Sequence, residues 1–261
     1  MTDDGIHRNE MAEEAVAFDA PASFIVVSKE GNDEFGNGSF ESPLLTIAAA
    51  IALWSTARNT ILVAPGEYDE EALVWPNINN LTLAALVPGT VVITNNDSAA
   101  QVLAIAPTWT ASTFGATIKG IALSTVAQIG LKVANAAMTK KLNVYLEGLT
   151  CEADSTGNSI TVAGTVSGQA IRVYAKDLDC ENLVSFAAND AGSRLRIRNG
   201  DLTGGLTTTG AVAAECTIRN VQVLTSGLSV AAEWTLCNIG CVYATDADPT
   251  VHSQFADAYA G

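Results

Sequence analysis

The chain has 261 residues, and its 13 basic residues against 28 acidic ones give a formal net charge of −15. A chain this long can bury a full core without disulfides or metals to staple it. The acidic balance and the lack of a long basic run exclude a phosphate-backbone partner, and no apolar run reaches the ~20 residues needed to span a bilayer.

Residues 1–22 are acidic and alanine-rich with no sustained period, which predicts an extended arm ordered only by a partner. They have neither the basic start nor the apolar middle of a secretory signal. Residues 23–58 follow as strand, loop and helix. The run FIVVSK (Phe24 to Lys29) reads as a strand, and a Gly/Asn-rich loop leads from it to Ser42-Pro43. A hydroxyl cap followed by proline is a helix start, and Leu44, Ile47, Ile51 and Trp54 then recur at helical spacing.

From 59 to 245 the chain changes to short β-branched runs separated by Gly, Asn and Asp. Six segments fall into register: 116–124, 144–152, 173–181, 195–203, 216–224 and 234–242. Their turn residues are Gly120, Gly148, Asp177, Asn199, Asn220 and Asn238, types that tolerate left-handed backbone. They recur at intervals of roughly 20–30 residues, the unit size of a solenoid.

The strand period of two assigns the faces. One inward column is Ala116, Val144, Val173, Leu195, Cys216 and Trp234, and the next is Ile118, Leu146, Ala175, Ile197, Ile218 and Leu236. Past the turn comes a third, Leu123, Cys151, Cys180, Leu202, Val223 and Cys241. Three consecutive asparagines at the turn predict a ladder of stacked amides. The reading is an all-β, right-handed, single-stranded parallel β-helix of about nine rungs with a short N-terminal capping α-helix. A β-sandwich with similar hairpins is the alternative, and it would not stack one turn residue so regularly. Residues 246–261 form a C-terminal tail that folds over the last rung or docks on a neighbour.

The segments FIVVSKEGNDEFGNGSFESPLLTIAAAIAL, NTILVAPGEYDE and NNLTLAALVPGTVVI resemble the pectin and pectate lyase-like family of right-handed parallel β-helices. The Ser-Pro-x-x-Thr-Ile helix that caps the coil and the VAPGxY and xNLTL strands that begin the rungs carry the resemblance. It implies a helix covering the apolar end of the solenoid, which would otherwise invite edge-to-edge association. It implies little about activity, because the fold hosts lyases, hydrolases, esterases, adhesins and viral spikes.

The five cysteines contain no CxxC pair, and His7 and His252 lie near the termini. Buried thiols are therefore expected, with no zinc site and no cysteine nucleophile. No cofactor or metal is expected. The acidic run Pro65 to Glu71 reads as a solvated loop in preference to a divalent-cation site.

The outward columns read Lys119, Glu147, Lys176, Arg198, Arg219, Cys237; then Thr117, Tyr145, Tyr174, Arg196, Thr217, Thr235; then Gly115, Asn143, Arg172, Arg194, Glu215, Glu233. One reading is of cross-rung ion pairs, Lys119–Glu147–Lys176 and Arg194–Glu215, each contributing ~0–1 kcal/mol. The other makes Arg172, Arg194, Arg196, Arg198, Arg219 and Lys176, beside Tyr145 and Tyr174, a binding face for an acidic glycan or an acidic protein arm.

For catalysis the carboxylate candidates are Glu147, Asp177, Asp179 and Asp201, with Asp179 and Asp201 at equivalent places on adjacent rungs. Asp177, Asp179, Glu181 and Asp201 equally serve to neutralise the basic face. Trp109 joins the tyrosines as a sugar-stacking candidate, while Trp54, Trp75 and Trp234 read as core. No stretch matches the active-site motifs of the resembled enzymes, so no catalytic residue is assigned.

By elimination and fold analogy, these features suit a structural protein of a bacteriophage virion: a head decoration, fibre or spike. It would be made in the host cytoplasm, attach to other virion proteins through its arm and associate as a homotrimer, without nucleic acid or membrane. The alternative is an enzyme or binding module that engages an acidic polysaccharide, such as a cell-surface glycan, through the Arg/Tyr face.

Overall fold

The computed structural model describes residues 23–95, 101–125, 129–135, 138–153, 157–164, 169–210, 212–224 and 227–243. The N-terminal arm, the end of the coil segment and the C-terminal tail, with His7 and His252, lie outside the described residues.

The chain enters through β1 (Phe24–Val27), makes α1 (Ile47–Leu53) and then winds. The first coil is β2 (Thr60–Val63), β3 (Gly66–Asp69) and β4 (Leu73–Val74); the second is β5 (Leu81–Ala85), β6 (Val91–Asn95) and β7 (Gln101–Ile105). The third is β8 (Phe114–Lys119), β9 (Ile121–Thr125) and β10 (Ile129–Ala134); the fourth is β11 (Leu142–Glu147), β12 (Thr150–Ala153) and β13 (Asn158–Ala163). In the next three coils one long strand rounds the first corner: β14 (Ile171–Cys180) with β15 (Val184–Ala187), β16 (Arg194–Leu202) with β17 (Leu206–Thr209), and β18 (Glu215–Val223) with β19 (Leu228–Ser229). β20 (Thr235–Ile239) and β21 (Val242–Tyr243) begin the eighth.

Three parallel sheets result. Sheet A stacks β1, β2, β5, β8, β11, β14, β16, β18 and β20, nine levels in all. Sheet B stacks β3, β6, β9, β12, the far halves of β14, β16 and β18, and β21. Sheet C runs β4, β7, β10, β13, β15, β17 and β19. Parallel strands returning to the same sheet connect in the right-handed sense that strand twist imposes. This is a right-handed parallel β-helix with one short helix at its start.

The expected inward columns meet along the axis. Ala116, Val144, Val173, Leu195 and Cys216 pair in sequence, as do Ile118, Leu146, Ala175, Ile197 and Ile218, and all are buried. At the corners, buried hydroxyls and amides take up backbone groups where the chain leaves a sheet. Ser159 donates to Cys151 O at 3.0 Å and accepts from Asn182 N at 3.0 Å, while Asn135 donates to Gln169 O at 2.7 Å. A buried backbone group left unpaired would cost about as much as a lost hydrogen bond.

The helix starts later than expected. Leu44 forms an isolated parallel bridge with Val27, so Ser42-Pro43 leads into extended chain. Thr46 caps α1 instead, accepting from Ala49 N at 3.1 Å, and Asp33 holds Leu45 N, Thr46 N and the Thr46 hydroxyl. Leu44, Ile47, Ala50 and Trp54 are buried, with Trp54 packed 4.7 Å from Trp75 across the coil mouth.

The run Pro65 to Glu71 is not a solvated loop. Tyr68 points into the core and donates to Ala64 O at 2.9 Å. Glu70 is buried and accepts from Ile47 N and Ala48 N, first-turn donors that have no acceptor within the helix. Burial pushes the Glu70 carboxyl above its ordinary value, against the lowering pull of those two donors.

The last coil is also corrected. Its register sits two residues from the expected one: Leu236 pairs with Cys216, Asn238 with Ile218 and Ile239 with Arg219. Gly240 (φ 64°) supplies the left-handed turn there, not Asn238. The side-chain ladder therefore runs Asp177–Asn199–Asn220, with Asn199 donating to Asp177 at 2.9 Å and Asn220 to Asn199 at 3.4 Å. Trp234 leaves the inward column but stays buried, edge-on to Phe186 at 5.3 Å.

Cys151, Cys180 and Cys216 are buried as expected, whereas Cys237 is exposed because it faces outward beside Thr217 on the sheet A strand, and Cys241 is half-buried. Burial raises the Cys216 thiol to about 12, which leaves it without nucleophilic character at neutral pH.

Candidate functional site

Outward residues alternate with the buried columns, so sheet A projects side chains in straight rows along the coil axis. Rungs lie ~4.8 Å apart, and adjacent rows about 7 Å apart. Two rows frame an open trough of about 780 Å³. One carries Thr117, Tyr145, Tyr174, Arg196 and Thr217, and the other Lys119, Glu147, Lys176, Arg198, Arg219 and Ile239. Ile239 closes the row where Cys237 was expected, a consequence of the two-residue shift.

Of the predicted binding residues, Lys176, Arg196, Arg198, Arg219, Tyr145 and Tyr174 line this trough. Arg172 and Arg194 do not, since both belong to the third row. Arg172 donates to Gly192 O at 3.2 Å and Arg194 pairs with Glu215 at 3.1 Å. Trp109 sits elsewhere, in the loop before β8, edge-on to Phe114 at 6.0 Å.

The charges divide the trough into two parts. Glu147 accepts from Lys119 and from Lys176, each at 3.2 Å, and Lys176 also meets Asp177 at 3.4 Å. The two lysine hydrogen bonds hold the Glu147 carboxyl below its ordinary value, and Glu147 in turn raises Lys176. Two cations and two anions thus cancel over the third to fifth coils. Further along, Arg196 pairs with Glu215 at 2.9 Å. Burial raises Glu215, but its bonds to Arg196 and the nearby Arg194 charge outweigh that and hold it low.

Arg198 and Arg219 are register partners on adjacent rungs, and neither makes an ion pair or hydrogen bond with the described residues. Two like charges at this spacing repel, and an anion between them relieves the repulsion with charge-assisted bonds. The sequence showed both arginines but not that neighbouring acids pass them over.

The tyrosines are arranged otherwise than for stacking on sugars. Tyr145 and Tyr174 lie face to face, 5.2 Å apart and 13° from parallel, and Arg196 from the next coil sits 6.0 Å from the Tyr174 centroid. Both faces of Tyr174 and one face of Tyr145 are used by this stack and by the guanidinium. What they offer a ligand is their edges and phenol hydroxyls, and neither hydroxyl has a partner among the described residues.

Asp179 and Asp201 are register partners but lie round the corner, in the sheet B portions of β14 and β16. Burial, then the Asp201 charge, raises Asp179. Asp177 is lowered, first by the Asn199 amide. Neither Asp179 nor Asp201 neutralises the trough. Among the described residues there is no group of three or more His, Cys, Asp or Glu fit to hold a metal, and no helix long and apolar enough to cross a membrane.

A family described as "Protein of unknown function (DUF1565)" matches residues 29–73, from just after β1 through α1 into β4. No curated protein matches the chain. Among solved structures, a deglycosylated pectin methylesterase from Aspergillus niger is similar at 14% identity, covering 93% of each chain with a TM-score of 0.45. Pectin methylesterase PemA from Erwinia chrysanthemi is similar at 14% identity, covering 90% of this chain and 93% of its own, also at 0.45. Likeness at this level transfers no activity to this chain, and the fold rests on the strand pairing above.

Proposed function

We propose that this chain is a carbohydrate-binding solenoid that holds an acidic polysaccharide along the trough of sheet A. The observation that carries this reading is the adjacent, unpaired Arg198 and Arg219 in a chain of net charge −15. An excess of acid elsewhere would have neutralised an idle basic pair, yet these two face open solvent beside unpartnered phenol hydroxyls. A guanidinium matches a carboxylate or sulfate in a two-pronged geometry, and the trough runs along the coil axis from Thr117 to Ile239, the direction an extended polymer needs.

The chemistry favours retention of the ligand over its cleavage. Among the described residues, Glu147 is the carboxylate that lines the trough, and two ammonium groups hold it ionised. A group in that state does not deliver the proton that glycosidic cleavage requires.

Affinity electrophoresis through gels containing an acidic polysaccharide tests the reading. The parent is expected to be retarded, and the double variant Arg198→Ala/Arg219→Ala to migrate freely with unchanged circular dichroism. Equal retardation of the two proteins would sink it. The expectation of a trimeric phage virion component held by its arm turns on residues 1–22 and on contacts between copies, and neither is among the described residues.

A further inference from the structure

We infer that the trough is built for a heteropolymer in which a neutral sugar alternates with an anionic one, and not for a homopolymer of uronic acid; this rests on the polysaccharide reading above. The free ligand-facing groups are segregated along the axis. At the fourth and fifth coils they are the Tyr145 and Tyr174 hydroxyls, beside a Lys119–Glu147–Lys176 cluster whose charge Asp177 completes to zero. At the sixth and seventh they are the Arg198 and Arg219 guanidinium groups. The midpoints of the two pairs are two rungs apart, about 10 Å, the reach of a disaccharide.

A phenol hydroxyl both donates and accepts, which suits sugar hydroxyl and amide groups. It brings no positive charge to balance a carboxylate, and the lysines nearby are already paired with Glu147 and Asp177. A homopolymer would place a carboxylate over this net-neutral cluster, whose two lysines are already engaged by Glu147 and Asp177, whereas an alternating polymer presents a neutral residue to the phenols and its acid to the arginines. Specificity then comes from the uncompensated carboxylate of the wrong polymer as well as from attraction of the right one.

Isothermal titration of the full chain with two probes of equal length separates the outcomes. The probes are a hyaluronan octasaccharide, which alternates an N-acetyl sugar with glucuronate, and an octagalacturonate. The parent is expected to bind the alternating probe at least about ten-fold more tightly, the worth of one to two net hydrogen bonds. That order runs against simple charge counting, because the homopolymer carries more carboxylates.

The variant Tyr145→Phe/Tyr174→Phe, which keeps the ring stack, is expected to lose most of that preference. Glu147→Gln removes one anion and leaves Lys119 without its partner, and is expected to bring octagalacturonate up to the alternating probe. Equal or tighter binding of octagalacturonate by the parent overturns the heteropolymer inference and leaves the polysaccharide reading standing. Binding of neither probe overturns both.

Discussion

Gly200 is among the positions where the coil has no room for a side chain. It follows the left-handed Asn199, has φ 144°, and pairs with Leu178 on one side and Val221 on the other. A Cβ added there would lie 2.0 Å from Leu178 O and 2.9 Å from Leu178 N. Both contacts are backbone, so no side chain can swing away, and β14 and β16 must separate at the corner. Strain in this region of φ costs ~1–3 kcal/mol and forced overpacking another ~1–3 kcal/mol, so Gly200→Ala is expected to destabilise by about 4 kcal/mol.

At ~2–4 °C per kcal/mol for a chain of this size, the melting temperature falls by about 8–16 °C. Gly148→Ala is the control. Its φ is 60° and its nearest neighbour would be 3.7 Å away, so it incurs left-handed strain alone, ~1–2 kcal/mol. Urea unfolding followed by the fluorescence of buried Trp54, Trp75 and Trp234 measures both variants. If Gly200→Ala loses no more than Gly148→Ala, the steric reasoning is wrong.

Three further outcomes are expected. Gly148→Asn places an amide beside the Asp177–Asn199–Asn220 ladder at a backbone angle asparagine tolerates, and by restricting the unfolded chain should raise the urea midpoint by the equivalent of about 0.4–1 kcal/mol; a lower midpoint would refute the ladder's extension. Glu70 has a raised folded-state pKa, so its contribution to stability is fullest at low pH and is lost as pH climbs from the ordinary value of 4.5 through the raised one. Glu70→Gln cannot ionise and should therefore gain on the parent between pH 4 and pH 7 in paired urea titrations, while a gain in the opposite direction would contradict the assigned burial. Glu215→Gln releases Arg194 and Arg196 from their shared partner; binding of an acidic polysaccharide should tighten and become more salt-sensitive, and unchanged salt dependence would place those arginines outside the ligand's reach.

The parts of the fold legible in the sequence were those that period and register determine together. Ile118, Leu146, Ala175, Ile197 and Ile218 had to be inward once their turn residues were aligned, and the ion pairs of Glu147 with Lys119 and Lys176 followed from the same alignment. The last coil escaped because a shift by two preserves side-chain parity: Leu236 is inward under either register, and Asn238 and Gly240 are both credible turn residues. The helix start escaped because Ser42-Pro43 offered a competing cap, while Asp33 and Glu70, the acceptors that hold the true start, lie 13 and 23 residues away in sequence from Thr46 and Ile47. At the trough, the pattern placed six of the eight binding residues. It could not show that Glu215 would take Arg194 and Arg196 and leave Arg198 and Arg219 unclaimed, since that choice is made by side-chain reach and not by spacing.

The trough is written on one side of the coil, and the loops that vary in length lie on the others. Its spacing along the axis is set by backbone pairing in sheet A, one side chain per row per turn, whatever the chain does before it returns. Lengthening a connection between sheets B and C should therefore leave the ligand's footing untouched, while a single residue inserted within β14 or β16 would exchange the wet and dry faces of that strand. Duplicating a whole coil would instead add one step to the track without disturbing the steps on either side. Such a surface can be lengthened in whole turns to match a longer repeat, much as a ruler gains a division.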